Sequence, residues 1–258
     1  MRTIAFVTQK GGAGKTTLTA SLAVAAAAAG ERVIAFDCDP QASLARWSKR
    51  REAANAPNAL VVEPFDFTRL SRIGAILDNL AGAGFTLAVF DTPGADSGTV
   101  RLVAERADLC LLPTRPTHLD LEATATTFRA VHLAQRRAAF VLNQCPPTYR
   151  SARANDAAKD LTGLGVLAEP MLSARIDFQD AIAAGLGVTE YAPEGKAAQE
   201  IEALWRWVGA DLARSDRERP EQVRPAAQLS SLSQRLAGMA GATYLQMHAP
   251  PATDKRSK

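Results

Sequence analysis

The chain has 258 residues, with 30 Lys and Arg against 27 Asp and Glu, 47% hydrophobic and 6% aromatic residues, 17 Gly, 14 Pro and 3 Cys. Apolar content this high with charge this balanced excludes a wholly disordered chain, and the glycines follow no collagen period. Cys38, Cys110 and Cys145 lie too far apart for a paired-ligand metal motif and are too few for a disulfide framework, so one large domain, or a domain with a tail, in a reducing cytoplasm is expected.

Short apolar, β-branched runs alternate with longer helical patterns, which is the signature of βαβ units around a parallel sheet. The opening strand, 3–7, passes into a Lys- and Gly-rich loop, so no signal peptide is expected. A helix follows from Lys15 to a C′-type glycine, Gly30, with Leu18, Leu22 and Ala25 on one face. Its alanine-rich run, 22–30, is far short of the ~20 residues that a membrane-spanning helix needs. A second strand is expected over 32–36, then a helix starting at Asp39, Pro40 and Gln41, where Asp can cap and Pro suits the first turn. Further strands are expected at 60–63, 87–90, 109–112, 139–142 and 165–167. Thr117 and Asp120 have capping-box spacing at a helix start, and the last core helix is expected over 197–212, with Ile201, Leu204, Trp205 and Val208 on its apolar side. The fold class is therefore α/β, a mostly parallel sheet flanked by helices on both faces.

Residues 1–214 carry 23 basic and 23 acidic side chains, whereas 215–258 carry 7 and 4, so the net charge of +3 belongs to the end of the chain. Past Arg214 the composition turns charged and Pro-punctuated, and the expected organisation is a globular domain over 1–213 and a flexible basic tail over 214–258. Leu229, Leu232, Leu236 and Met239 recur at helical spacing, giving a short amphipathic helix at 228–240 or a mobile tail with transient helix. Arg235 is the one cation on that stretch's polar face, which is poor material for holding anionic lipid.

Between the first strand and its helix stand Thr8, Gln9, Lys10, Gly11, Gly12, Ala13, Gly14, Lys15, Thr16 and Thr17. Glycines let the backbone wrap with its N–H groups turned toward phosphate oxygens, and the helix N-terminus adds a favourable dipole. Lys15 supplies a point charge to the β- and γ-phosphates, and the Thr16 hydroxyl can ligate Mg²⁺. The common phosphate-loop pattern would place glycine at position 9, where this chain has Gln9, and the loop holds a second lysine, Lys10. Asp91 follows four apolar residues at a strand's C-terminal end, where α/β sheets bind ligands, and reads as a metal partner. Asp37 and Asp39 read as chemistry or as simple helix-start residues. His118, His132 and His248 are scattered and are assigned no metal.

The loop, together with Asp37-Cys38-Asp39-Pro40-Gln41 and the run from Ala88 through Asp91 to Gly94, resembles the ParA/MinD family of deviant Walker-A ATPases. The stretch 37–51 is most similar to the small ParF-type plasmid partition proteins, and the likeness spans about residues 1–213. The resemblance implies a P-loop ATPase using ATP and Mg²⁺, with Gly11, Gly12, Ala13, Gly14, Lys15, Thr16, Thr17 and Asn143 on the nucleotide. It implies catalytic roles for Lys10, Lys15 and Asp37, and a metal held through Thr16, Asp37 and Asp91. By the same resemblance Lys10 reaches across a nucleotide-sandwich homodimer to the partner's phosphates, Gly12 marks its close-approach point, Asp37 orients the attacking water and Asn143 reads the adenine. Such roles follow phosphoryl-transfer logic, in which the protein positions groups and neutralises charge.

The function this implies is partition of plasmid or chromosome: ATP closes the dimer, the dimer binds DNA without sequence preference, and a centromere-binding ParB- or ParG-like adaptor stimulates hydrolysis. A cytoplasmic, nucleoid-associated protein without stable membrane association is expected. Arg150, Arg153, Lys159 and Arg175, with Arg206, are candidates for the DNA surface or simply a solvated basic face, and Arg46, Lys49, Arg50 and Arg51 form a second cluster. The alternative is a positioning ATPase for protein cargo or cell division. Neither Cys110 nor Cys145 is placed as a relative with a shared iron–sulfur cluster would need.

Overall fold

The computed structural model describes residues 1–57, 60–65, 72–94, 97–147 and 151–217. Seven parallel strands form one sheet: β1 (Arg2–Phe6), β2 (Val33–Asp37), β3 (Leu60–Pro64), β4 (Leu87–Asp91), β5 (Leu109–Thr114), β6 (Ala138–Leu142) and β7 (Val166–Leu167). Their order is β3-β2-β4-β1-β5-β6-β7, so the chain builds outward from β1 in one direction, returns, and builds outward in the other. The strands interleave with helices α1 (Lys15–Ala28), α2 (Ser43–Ala53), α3 (Ile73–Gly82), α4 (Ser97–Ala104), α5 (His118–Leu133) and α6 (Ala152–Leu164). After β7 come α7 (Ile176–Ala183), α8 (Val188–Tyr191) and α9 (Lys196–Arg217).

Alternation along each strand feeds two cores, as an internal parallel sheet requires. Ile4, Phe6, Val33, Val89, Leu111 and Val141 share one core with α1, α2 and α9. The alternate side chains face the other helices: Ile34 and Phe36 line a groove with Ile76 and Leu80 of α3, and Phe140 packs 4.9 Å from Phe128 of α5. Burial on all sides suits the alanines of α1, because small side chains let sheet and α9 approach closely. Gly30, with φ 96°, ends that helix as expected.

Two expectations need correction. The second helix starts at Ser43, not at Asp39: Asp39 accepts the Gln41 N–H in a turn, and Ala42, with φ 51°, reverses the chain before the helix opens. The last core helix runs on to Arg217, because its final turns are held by Asp211 bonded to Arg137 and Arg214. The compact unit spans Met1–Glu221, and the expected helix at 228–240 lies outside the described residues. Among the described residues no helix is long and apolar enough to cross a membrane.

Sheet register sets the stage for the site. Phe6 pairs with Asp91, and Asp91 with Asp37, so β1, β4 and β2 release their chains at one level. That level is the carboxyl edge of the sheet beside the reversal of strand order, where open α/β sheets place ligands.

Candidate functional site

The loop after β1 wraps because Gly12 and Gly14 take φ 78° and 93°, a region costly for any residue with a Cβ. Gly14 is the N-cap of α1 and no side chain caps that helix, which leaves its first N–H groups to an external acceptor. A Cβ on Gly14 would also stand 2.4 Å from Nδ2 of Asn143. The loop after β4 closes the other side: a Cβ on Gly94 would meet the Gly11 nitrogen at 3.3 Å and Nζ of Lys15 at 3.4 Å.

Lys15 is 7% exposed, and its ammonium curls back over the loop to donate to the Lys10 carbonyl at 3.4 Å. Burial lowers its pKa, with Asp91 and then Asp39 opposing. Thr16 Oγ1 donates to Asp91 Oδ2 at 2.7 Å. Asp91 is fully buried, and its other oxygen, Oδ1, has no hydrogen-bond partner among the described residues. Burial, against the Thr16 bond and together with the nearby Asp37, raises this carboxyl to about 7. A buried carboxylate oxygen without a donor is costly unless a cation or donor meets it.

Asp37 is buried as well, and both its oxygens are held by backbone: Oδ1 accepts from Asp39 N at 3.1 Å and Oδ2 from Ala45 N at 2.8 Å. Burial raises its pKa and those amides oppose the shift. The carboxylate therefore caps the first turn of α2, the helix-start reading of Asp37.

Lys10 does not point away from its own chain. Its ammonium lies 2.7 Å from Oδ1 of Asp120, and Asp120 also accepts from Arg115 at 2.8 and 3.2 Å and from Thr117 at 2.5 Å. Burial works against the charge, but the Arg115, Lys10 and Thr117 bonds hold this carboxyl down at about 2. The spacing of Thr117 and Asp120 marked a helix cap, and that cap is present; its second duty, holding the loop lysine, had no local signal in the sequence.

Asn143 reaches the loop through its amide. Nδ2 donates to the Ala13 carbonyl at 2.9 Å, and the neighbouring Gln144, at φ 53°, donates to the Gly12 carbonyl at 3.0 Å. The two amides thus hold two loop carbonyls. Both line a cleft of about 330 Å³ beside the loop. Gly14, Thr17 and Leu18 form part of its wall, as do Ser173, Arg175, Ile176 and Phe178. Gln144, Ser173, Ile176 and Phe178 had no signal in the sequence, and Arg175 was marked there only as a candidate for a DNA surface, since nothing periodic links them to the loop.

The structure does not unite the proposed basic surface. Arg153 and Lys159 are exposed on α6, but Asp156 is 3.8 Å from Lys159 and Asp160 shares the helix, so the described part of α6 is charge-balanced. Arg150 lies outside the described residues. Arg175 stands apart on the cleft, 2.8 Å from Glu200. On α2, Arg46, Lys49 and Arg50 are exposed, whereas Arg51 is buried against Glu190 at 2.6 Å and over the Trp47 ring. All three cysteines are buried and unpaired. Among the described residues no group of three or more His, Cys, Asp or Glu could hold a metal, so an ion beside Thr16 and Asp91 would take its other oxygens from water or a bound ligand.

Residues 4–188 match the family model described as the CobQ/CobB/MinD/ParA nucleotide binding domain. The chain is 35% identical over 221 residues to the maintenance of carboxysome distribution protein A of Gloeobacter kilaueensis, covering 84% of this chain and 96% of that one. It is 32% identical over 177 residues to the protein virC1 of Rhizobium rhizogenes, covering 66% of this chain and 76% of the other. The fold matches the septum site-determining protein MinD of Pyrococcus horikoshii, solved with Mg-ADP, with a TM-score of 0.65 at 21% identity over 85% of this chain and 99% of that one.

Proposed function

Because the chain belongs to the CobQ/CobB/MinD/ParA nucleotide-binding family, we propose that it is an ATP-hydrolysing switch of the ParA kind, which pairs with a second copy when ATP is bound and partitions DNA. The observation that carries this reading is the buried Asp91, one oxygen on Thr16 and the other without a partner among the described residues, at the mouth of an uncapped glycine loop. That arrangement fits a hydrated divalent cation on a phosphate chain, and the Mg-ADP complex of a protein with the same fold supports it. Mg²⁺, when bound, neutralises charge on the phosphate oxygens.

The rest is work for the chain's own residues. Uncapped N–H groups of α1 and the Lys15 ammonium bind the phosphates, and the buried setting strengthens both. Asp37, fixed at both oxygens by backbone amides, orients a water for attack without having to reorganise. Lys10 has to exchange Asp120 for the partner subunit's phosphate, which makes pairing conditional on nucleotide. Plain duplex DNA binds the paired form, and an adaptor of the ParB or ParG kind speeds hydrolysis.

One observation favours protein cargo as a second reading: the relative aligned over 96% of its own length is named for carboxysome distribution. The mobility of plain duplex DNA separates the two. For a DNA partitioner it falls with ATP, much less with ADP, and the effect weakens steeply with salt. Binding that ignores nucleotide overturns the switch. Turnover tests the site itself: Lys15→Ala abolishes ATP binding in calorimetry, and Asp37→Ala binds ATP but turns it over at least 100-fold more slowly, on the order of what one oriented catalytic group supplies. Normal turnover by Asp37→Ala removes its role.

A further inference from the structure

The cleft beside the phosphate loop has an outer wall that no loop residue explains. Arg175 lines it, and a free guanidinium there would have to give up rotamer freedom to meet a ligand. It is not free. Glu200, five residues into α9, accepts from Arg175 Nη2 at 2.8 Å and Nε at 3.3 Å. The same carboxylate accepts from Ser173 N at 3.0 Å and Ser173 Oγ at 2.9 Å, and Arg175 Nη2 reaches Ser173 Oγ at 3.3 Å. One partly buried carboxylate thereby fixes two polar side chains of that wall, Ser173 and Arg175.

Backbone geometry places this wall firmly. Ser173 bridges Cys145 in parallel, Cys145 N donates to the Leu172 carbonyl, and Ala174 N donates to the Cys145 carbonyl. The segment therefore continues the sheet next to Asn143 and Gln144, the residues that hold the loop carbonyls. Thr17 and Leu18, in the first turn of α1, line the same cleft, so it opens beside the loop and can receive the nucleoside of a nucleotide whose phosphates fill that loop.

We propose that Glu200 is a positioning residue for nucleoside recognition: it holds the Arg175 guanidinium and the Ser173 hydroxyl against the sugar and base of the bound nucleotide. This rests on the reading of the loop as a nucleotide site. Arg175 is the contacting group, and Glu200 acts through it. Charge follows the same logic. Paired, the two side chains present a neutral wall, so the contact it offers is directional hydrogen bonding and not net charge.

The test is calorimetric titration of the full chain with ATP and, separately, with inorganic tripolyphosphate, both with Mg²⁺. Glu200→Gln and Arg175→Ala each weaken ATP roughly tenfold, the scale of one charged hydrogen bond, and leave tripolyphosphate within about twofold. The double variant is no weaker than Arg175→Ala alone. Ser173→Ala, which removes a single hydroxyl, weakens ATP by roughly threefold and keeps the test open if Arg175→Ala does not fold. ATP affinity within about twofold of the parent in Glu200→Gln, equal losses for both ligands, or additive losses in the double variant overturns the proposal. A parent chain that binds neither ligand removes the nucleotide reading itself, a distinct result from a parent that binds both and variants that do not discriminate.

Discussion

At the scale of single residues, the site holds carboxylates displaced in opposite directions, each with its own consequence. Asp91 is raised from 3.8 to about 7 by burial. The ligand-free protein therefore binds a proton there that the unfolded chain releases, so this contribution to stability is complete below about pH 4 and is lost as pH rises through about 7. Asp91→Asn, which carries no charge, melts with the parent at about pH 4 and several degrees above it near pH 8, as read by thermal denaturation without nucleotide. An equal difference at both pH values contradicts the buried charge. Asp120 is the reverse case, held at about 2 by Arg115, Lys10 and Thr117, so its contribution is present above about pH 4 and fades toward pH 2. If Asp120 restrains Lys10, Asp120→Asn lowers the ATP concentration for half-maximal pairing several-fold in light scattering. An unchanged midpoint means the contact does not govern release.

At the scale of elements, what holds α2 matters, because Asp37 caps that helix. α2 is bolted to the α7–α8 region by Trp47 Nε1 on the Leu186 carbonyl at 3.2 Å and by both Arg51–Glu190 bonds, at 2.6 and 2.7 Å. Gly185, with φ 75°, admits the α2 backbone where a Cβ would come within 2.4 Å of Arg51 N. Glu190→Gln leaves the buried guanidinium half-paired and costs about 3 kcal/mol in urea unfolding, where an exposed pair would cost less than about 1. Elements also show how far the sequence could be read. Strands with full apolar runs, β1, β2, β4, β5 and β6, were legible, as was the loop, because glycine, lysine and threonine at fixed spacing have few other uses. The start of α2 was not, since Ala42 in a left-handed conformation has no compositional mark. Nor were the partners of Lys10 and Arg175, Asp120 and Glu200, which lie 110 and 25 residues away in sequence and become neighbours only through the sheet.

At the scale of the whole molecule, the sheet order brings Phe6, Asp91 and Asp37 to one level and the segments after β1, β2, β4 and β6 to one edge. Every group assigned to nucleotide comes from that edge, whereas the exposed cations of α2 and α6 do not form one surface among the described residues. In the proposed function the loop takes a triphosphate and Lys10, paired here with Asp120, crosses to the partner's nucleotide. Sedimentation velocity of the Asp37→Ala chain, which retains its nucleotide, tests this most directly. The account predicts a doubled mass with ATP and Mg²⁺, a single-chain mass with ADP and Mg²⁺, and a single-chain mass with either nucleotide once Lys10→Ala is added. A mass that is the same with ATP and ADP, or pairing that survives the loss of Lys10, would contradict it.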